Sequence, residues 1–435
     1  MIEKTTARKS TLAAQKIRGI VRDMNRRAQE DQASGKLVAY TMAQSAPPEI
    51  LRAMDIVPVW TENFAGLCSA KRQAEPYMVR AEAEGYSDVI CGYARVGLGF
   101  DGLRHELGQI PEGAPDGGMP QPDLLLSSGF ACDARYKWYQ ALGRYMQVPS
   151  YCIDYPAPPV HVDLGAIEDY YVSYLADQFR GLIAWLEDHA KRKIDLYKVD
   201  ENFERSQEVF RLWYESDQLR KAVPCPMPSQ DQFNIFVLPG FWPCEDVTVQ
   251  FLRDLCAELK ERVENGVGVI PDERFRLLWA GGLPPWHSMW IFNYFEDRGA
   301  VFVIERMYRE WDPVEIPPRI TDPVEKLAYR HFRRSTQRYE QAQQNTGYPH
   351  VEFILEYIRD YKIDGMVMHA AKSCRIHSFG QLYRRKLILD NADIRSLQLQ
   401  SDMVDLRDFS EAQWKLRIDT FLEVLEFRGH HTYLP

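Results

Sequence analysis

A strand–helix–strand pattern that opens its helix on a pair of prolines occurs twice in this chain, and no other feature restricts the fold as much. In the first copy residues 36–40 form a short apolar run. Pro47 and Pro48 then open a segment with Ile50, Leu51 and Met54 on one face, and residues 56–60 form the next apolar run. Short apolar runs bounded by turn residues read as buried strands, and proline suits the first turn of a helix. In the second copy residues 275–279, Pro284 and Pro285 with Trp290, Phe292 and Phe295, and residues 300–304 repeat that order, with Gly299 closing the helix. A further apolar run leads to a cysteine in each copy, residues 123–127 to Cys132 and residues 364–368 to Cys374. Pro47 and Cys132 are 85 residues apart, and Pro284 and Cys374 are 90 apart. After each cysteine come a helix and one more strand, at residues 149–154 and 396–402. This period is longer than that of solenoid repeats. The expected fold is α/β, with two similar parallel-sheet domains of Rossmann-like or flavodoxin-like type from an internal duplication, plus N-terminal and connecting helices.

Three segments emerge from this reading. Residues 1–160 hold a basic N-terminal helical segment and the first α/β domain, residues 161–268 a helical connection, and residues 269–435 the second α/β domain. In the connection, Ile167, Tyr171, Phe179, Leu182, Ile183 and Leu186 recur at helical spacing. A second helix is predicted over 202–219, and a third carries Phe251, Leu255, Leu259 and Val263 and stops at Gly266. In open parallel sheets, ligands sit beyond the carboxyl ends of the strands. Cys132 and Cys374 occupy equivalent places of that kind, so a cleft between the domains would bring both thiols to its floor. The plain alternative is that each packs a strand-to-helix turn.

Composition narrows the function classes. Across 435 residues the chain is 45% hydrophobic and 26% charged, as a globular protein is, and its net charge of −9 argues against nonspecific nucleic-acid binding. No run is long and apolar enough to span a bilayer, and the N-terminus lacks the apolar core of a secretory signal, so a cytoplasmic protein is expected. Eight cysteines at positions 68, 91, 132, 152, 225, 244, 256 and 374 include no pair separated by two residues. Zinc-ribbon, ferredoxin and thioredoxin spacings are therefore absent, and a metal site must be assembled from distant parts of the chain.

Several segments together resemble the superfamily of 2-hydroxyacyl-CoA dehydratases and ATP-dependent benzoyl-CoA reductases. They are Ala46-Pro-Pro-Glu49 with Ala53-Met-Asp-Ile56, Ile90-Cys-Gly-Tyr93, Leu124-Leu-Leu126 leading to Cys132, Ala371-Lys-Ser-Cys-Arg375, Gln400-Ser-Asp402 and Arg417-Ile-Asp-Thr-Phe421. The blocks Arg276-Leu-Leu-Trp-Ala280, Pro284-Pro-Trp-His287 and Phe379-Gly-Gln-Leu382 look most like the larger cluster-binding subunit of benzoyl-CoA reductase. The resemblance implies a [4Fe–4S] cluster held by Cys91, Cys132 and Cys374, with one iron left open. It further implies a homologous second cluster-binding subunit, ATP-hydrolysing activator subunits, reduced ferredoxin as upstream donor, and dearomatisation of an aromatic acyl-CoA. A dehydratase subunit and a double-cubane reductase component are the alternatives. Glu62, His287 and His369 are the candidate proton carriers, and Arg95, Arg135, Lys372 and Arg375 the candidate partners of coenzyme A phosphates. The chain has no phosphate loop ending in Gly-Lys-Ser/Thr, so ATP is expected on another polypeptide. Gly92, Gly97 and Gly99 are expected to let backbone amides approach the sulfurs.

Overall fold

The computed structural model describes residues 6–130, 132–308 and 312–427. Among these, two four-stranded parallel sheets share one topology. The first comprises β1 (Val38–Thr41), β2 (Val57–Trp60), β3 (Leu124–Ser128) and β4 (Ser150–Ile153), in the order β2-β1-β3-β4. The second comprises β5 (Phe275–Trp279), β6 (Ala300–Glu305), β7 (Gly365–Ala371) and β8 (Arg395–Ser401), in the order β6-β5-β7-β8. Every pairing is parallel. The α/β fold with a duplicated sheet is therefore the one read from the sequence.

Strands buried on both faces should be apolar throughout, and β1, β2, β3, β5 and β6 are buried along their whole length. The edge strands β4 and β8 alternate with solvent. Successive side chains take opposite faces. Val38 and Tyr40 enter one cluster with Ala94, Val96 and Trp138, while Ala39 enters another with Leu124, Leu126 and Phe179. The other two edges do not face water. The N-terminal helix Leu12–Ala33 lies along β2, and the short helix Ser229–Ile235 lies along β6, which removes open strand edges that could pair with other chains.

The connecting helices run Leu164–Ala190, Leu196–Leu219 and Asp246–Glu264. The second starts six residues before its predicted position, because Asp195 caps it by accepting from the Tyr197 amide at 3.0 Å. Gly266, at φ +64°, follows the third as expected. The helix predicted after Pro284-Pro285 is broken in two, a single turn at Trp286–Ser288 and then Ile291–Glu296. Tertiary bonds divert the backbone there: the Trp286 amide donates to the Met403 carbonyl at 3.1 Å, and the His287 ring reaches the Asp402 carbonyl.

The two halves are not packed as separate bodies. Val314, Ile320, Val324, Leu327 and Phe332, which come after β6, pack under the first sheet against the helix Leu164–Ala190. Conversely Leu283, Ala371, Met403 and Val404, from the carboxyl end of the second sheet, join the core of the first. The carboxyl ends of both sheets therefore meet. No helix among the described residues is long and apolar enough to cross a membrane.

Candidate functional site

Cys91, Cys132 and Cys374 each stand immediately before a helix, respectively Gly92–Leu107, Asp133–Met146 and Arg375–Ser378. All three are partly buried free thiols. They are also near enough to act on one another electrostatically in all three pairings. Burial pushes the Cys91 thiol up, and Cys374 and then Cys132 add to that. Burial likewise raises Cys374 to about 12, with Cys132, Asp402 and Glu62 contributing and the His377 amide pulling the other way. Cys132 is raised by burial, lowered by Arg135 and raised again by Glu62. Amides of Ala94, Ala134, Arg135 and His377, in the first turns of the three helices, all favour the thiolate. Three acidic groups thus crowd together in a poorly solvated space.

A clasp fixes the loops that carry two of them. The Ser373 hydroxyl accepts from the Gly92 amide at 2.9 Å and donates to Asp402 Oδ2 at 2.5 Å, while Asp402 also takes the amides of Ser373, Val404 and Asp405. Gly92 is required at this crossing, since a Cβ there would stand 2.8 Å from Asp402 Oδ1 and 3.0 Å from Val404 Cβ. The other two glycines serve a different purpose from the one expected. Gly97 and Gly99 lie within the helix and admit the Trp138 ring and the Tyr77 backbone carbonyl, not the sulfurs.

Among the candidate proton carriers, Glu62 lies in the site. It is in the first turn of the helix Thr61–Ala70, two residues past β2, where Oε2 accepts from the Ala43 amide at 3.2 Å and from Arg135 at 3.1 Å. The two histidines are placed otherwise. Both are buried and held neutral, with burial taking each pKa down to about 4. His287 spends Nδ1 on the Ser288 hydroxyl at 2.8 Å and Nε2 on the Asp402 carbonyl at 3.0 Å. His369 spends Nδ1 on the Leu283 carbonyl at 2.5 Å and Nε2 on the Ser401 hydroxyl at 2.9 Å. Both nitrogens of each ring are thus bonded within the protein, to groups of the loops at the end of the second sheet.

The four candidate cations divide in the same way. Arg95 is 1% exposed and bonded to Glu82 at 2.7 Å and Asp405 at 3.2 Å, which ties its helix to the end of the second sheet. Arg135 is at the site, but it is committed to Glu62 and the Phe130 and Ala43 carbonyls. Lys372 is exposed and paired with Asp408 at 3.1 Å. Arg375 is exposed beside Cys374.

One site residue escaped the sequence reading. Tyr308, three residues past β6 at φ +66°, stacks on Phe236 with 3.5 Å between centroids. Burial holds it protonated, reinforced by the charges of Glu62 and Cys374. The only available signal was its place beyond a strand end, matching that of Glu62 beyond β2. Tyr93 is also protonated by burial and accepts a hydrogen bond from Trp286 Nε1, as an aromatic wall there would require. Of the remaining cysteines, Cys68, Cys225, Cys244 and Cys256 are buried, Cys68 in the core against which Cys91 and Cys374 pack, and Cys152 is exposed on β4. No three His, Cys, Asp or Glu side chains among the described residues are close enough to share a single metal ion. A cubane asks for wider spacing, because each thiolate takes a different iron.

Sequence comparison sets this geometry in context. The model of the 2-hydroxyglutaryl-CoA dehydratase, D-component family matches residues 44–425. The chain belongs to that family. Its relatives in the family include the lactoyl-CoA dehydratase subunit alpha of Anaerotignum propionicum, 26% identical over 412 residues that cover 92% of this chain and 93% of the relative. A benzoyl-CoA reductase subunit of Thauera aromatica is 26% identical over 417 residues, covering 90% of each. The (R)-phenyllactyl-CoA dehydratase alpha subunit of Clostridium sporogenes is 25% identical over 390 residues, covering 88% of each. As a D-component family member the chain thus has dehydratase and reductase relatives along nearly its whole length.

Proposed function

We propose that this chain is the iron–sulfur catalytic subunit of an enzyme that acts on acyl-CoA thioesters by single-electron chemistry, reductive dearomatisation of an aromatic acyl-CoA being the favoured reaction. The observation that carries this is the meeting of three thiols, remote in sequence, at the joined carboxyl ends of two sheets. Thiolates are the ligands that suit iron–sulfur clusters, and helix amides beside each one stabilise the bound anionic form. Cys91, Cys132 and Cys374 would hold a [4Fe–4S] cluster, which supplies low-potential electrons and, with three protein ligands, an iron open to a further group.

The other residues bind and orient. Glu62, anchored by Arg135 and the Ala43 amide, is the group placed to move a proton beside the thiols. Tyr308 and Tyr93, held neutral by burial, offer hydroxyls without adding charge. With Trp286 they wall the space with aromatic faces, which suits a planar ring and excludes water from reactive intermediates. Relatives named as alpha subunits support a second, homologous subunit. Ile376, Phe379 and Leu382 are exposed beside Cys374, an apolar surface of the kind a partner subunit covers. An ATP-hydrolysing activator fed by reduced ferredoxin completes the reading, since reducing an aromatic ring needs a stronger reductant than ferredoxin alone.

The second reading is a 2-hydroxyacyl-CoA dehydratase subunit, favoured by the dehydratase relatives. Electron accounting separates the two. Anaerobic assays with the partner and activator should show two electrons consumed per aryl-CoA turned over. Release of water from a 2-hydroxyacyl-CoA with no net electron use would select the dehydratase, and no turnover of either thioester class would reject both.

A further inference from the structure

The N-terminal helix Leu12–Ala33 stands off the edge of β2 and leaves an open pocket of about 750 Å³ between them. Helix residues Asn25, Arg27 and Asp31 line one side and β2 lines the other from Val57 to Trp60. Residues of the loop 115–120, with Trp242 and Glu245, complete the lining. The size is that of a small-molecule site. Cys91, Cys132, Cys374, Glu62, Arg135 and Tyr308 do not line it, so it is a different space from the thiol site. The turn after β2 borders both: Trp60 and Asn63 line the pocket, while Glu62, between them in the sequence, is bonded to Arg135 beside the thiols.

The apolar part of the lining is flat, with the aromatic side chains of Trp60, Phe64 and Trp242 and the ring of Pro58. Pro58 also brings no N–H to this strand edge, so the pocket does not invite another strand. The polar groups differ in whether they are already spent. Glu245 is bonded to Arg52 at 2.7 Å, and Asp31 to Lys36 at 2.9 Å. Arg27, Asn25 and Asn63 have no side-chain hydrogen bond or ion pair among the described residues. Trp60 is 4% exposed, and its Nε1 is shut off from water with no acceptor among them. The unpaired charge at this pocket is therefore positive, and each of the four unspent polar side chains carries an N–H donor.

We propose that this pocket is a second ligand site, which takes an aromatic carboxylate with its ring against the flat apolar walls and its carboxylate among the unspent donors. Aromatic rings pack face or edge against such walls, and a carboxylate accepts from several N–H groups at once. Arg27 disfavours a cation there. An aliphatic acid forgoes the aromatic contacts, and an uncharged ring forgoes the charge of Arg27. The site stands independently of the acyl-CoA reading, because none of the thiols or their neighbours takes part in it.

The test is anaerobic calorimetric titration of the purified protein, with any subunit that accompanies it. Benzoate is the probe, and benzamide and cyclohexanecarboxylate are the comparisons. Benzoate should bind with a Kd of about 1 mM or tighter, and each comparison compound at least about fivefold more weakly. Trp60→Phe, which keeps a ring and removes the N–H, should weaken benzoate about tenfold, and Arg27→Gln, at an exposed position, about threefold. Glu62→Gln, beside the thiols, should leave benzoate binding unchanged. If Trp60→Phe does not fold, the exposed Arg27 variant decides alone. Three results overturn the site: no saturable binding of benzoate, binding unchanged in the Trp60 and Arg27 variants, or binding lost in Glu62→Gln. Comparison compounds bound as tightly as benzoate overturn the ligand class.

Discussion

The first half of the chain brings two thiols and a carboxylate to the site, the second one thiol and two histidines that have no free nitrogen. Their strand orders are the same, and their third strands, β3 and β7, each lead to a cysteine. The difference lies beyond the other strands. After β2 the chain places Glu62 in the site, and after β6 it places Tyr308. Cys91 precedes a long helix whose glycines let Trp138 and Tyr77 pack tightly against it. In the second half, His287 and His369 are consumed in holding the strand-end loops. A duplicated scaffold thus supplies matching positions, while the turns after its strands set which side chains stand beside the thiols and which are consumed in holding the loops.

Breaking that division should produce effects of decreasing size. Cys374→Ser, like Cys91→Ser, should abolish turnover, whereas Cys152→Ser on the exposed edge strand should leave it unchanged; steady-state assays compare the three. Glu62→Gln should lower kcat by about 100-fold with the iron content intact, the size expected for loss of a general acid–base group. Retained kcat would remove Glu62 from proton transfer. Each half also depends on a close glycine contact, between helices in the first and at the sheet end in the second. A Cβ at Gly99 would stand 1.7 Å from the Tyr77 carbonyl oxygen, and one at Gly281 2.0 Å from the His369 amide. Gly99→Ala and Gly281→Ala should each cost about 3 kcal/mol in denaturant unfolding.

The smallest effect concerns pH. The folded pKa of His369, about 4, lies below its ordinary value near 6.5. Its contribution to stability is therefore complete above about pH 6.5 and is lost as the pH falls toward 4. His369→Gln should flatten the stability profile in that window by up to about 1.4 kcal/mol per pH unit. The comparison must be variant against wild type, because Asp101 and Glu296, raised by burial to about 7, tilt the profile the other way.

The strands were legible because a strand buried on both faces is an apolar run, and the prolines marked where the helices begin. Cys132 and Cys374 were legible as residues after such runs; Cys91 entered only through family resemblance. Pattern could not show how groups would be used once packed. His287 and Glu62 both come after proline-marked strand units, yet one is saturated by its neighbours and the other faces the thiols. The Gly92–Ser373–Asp402 clasp joins positions some 280 residues apart and leaves no local trace. Likewise Val324 and Leu327 announce an amphipathic helix, but nothing in their spacing tells that it covers the first sheet and not the second.

The most direct measurement is iron and acid-labile sulfide per chain after anaerobic purification, for the unaltered protein and for single serine replacements of Cys91, Cys132 and Cys374. The account predicts four of each per chain in the unaltered protein and a marked loss in all three variants, with Cys68→Ser and Cys256→Ser unaffected. Iron retained in full when any one of the three is replaced, or none in the unaltered protein, would contradict it.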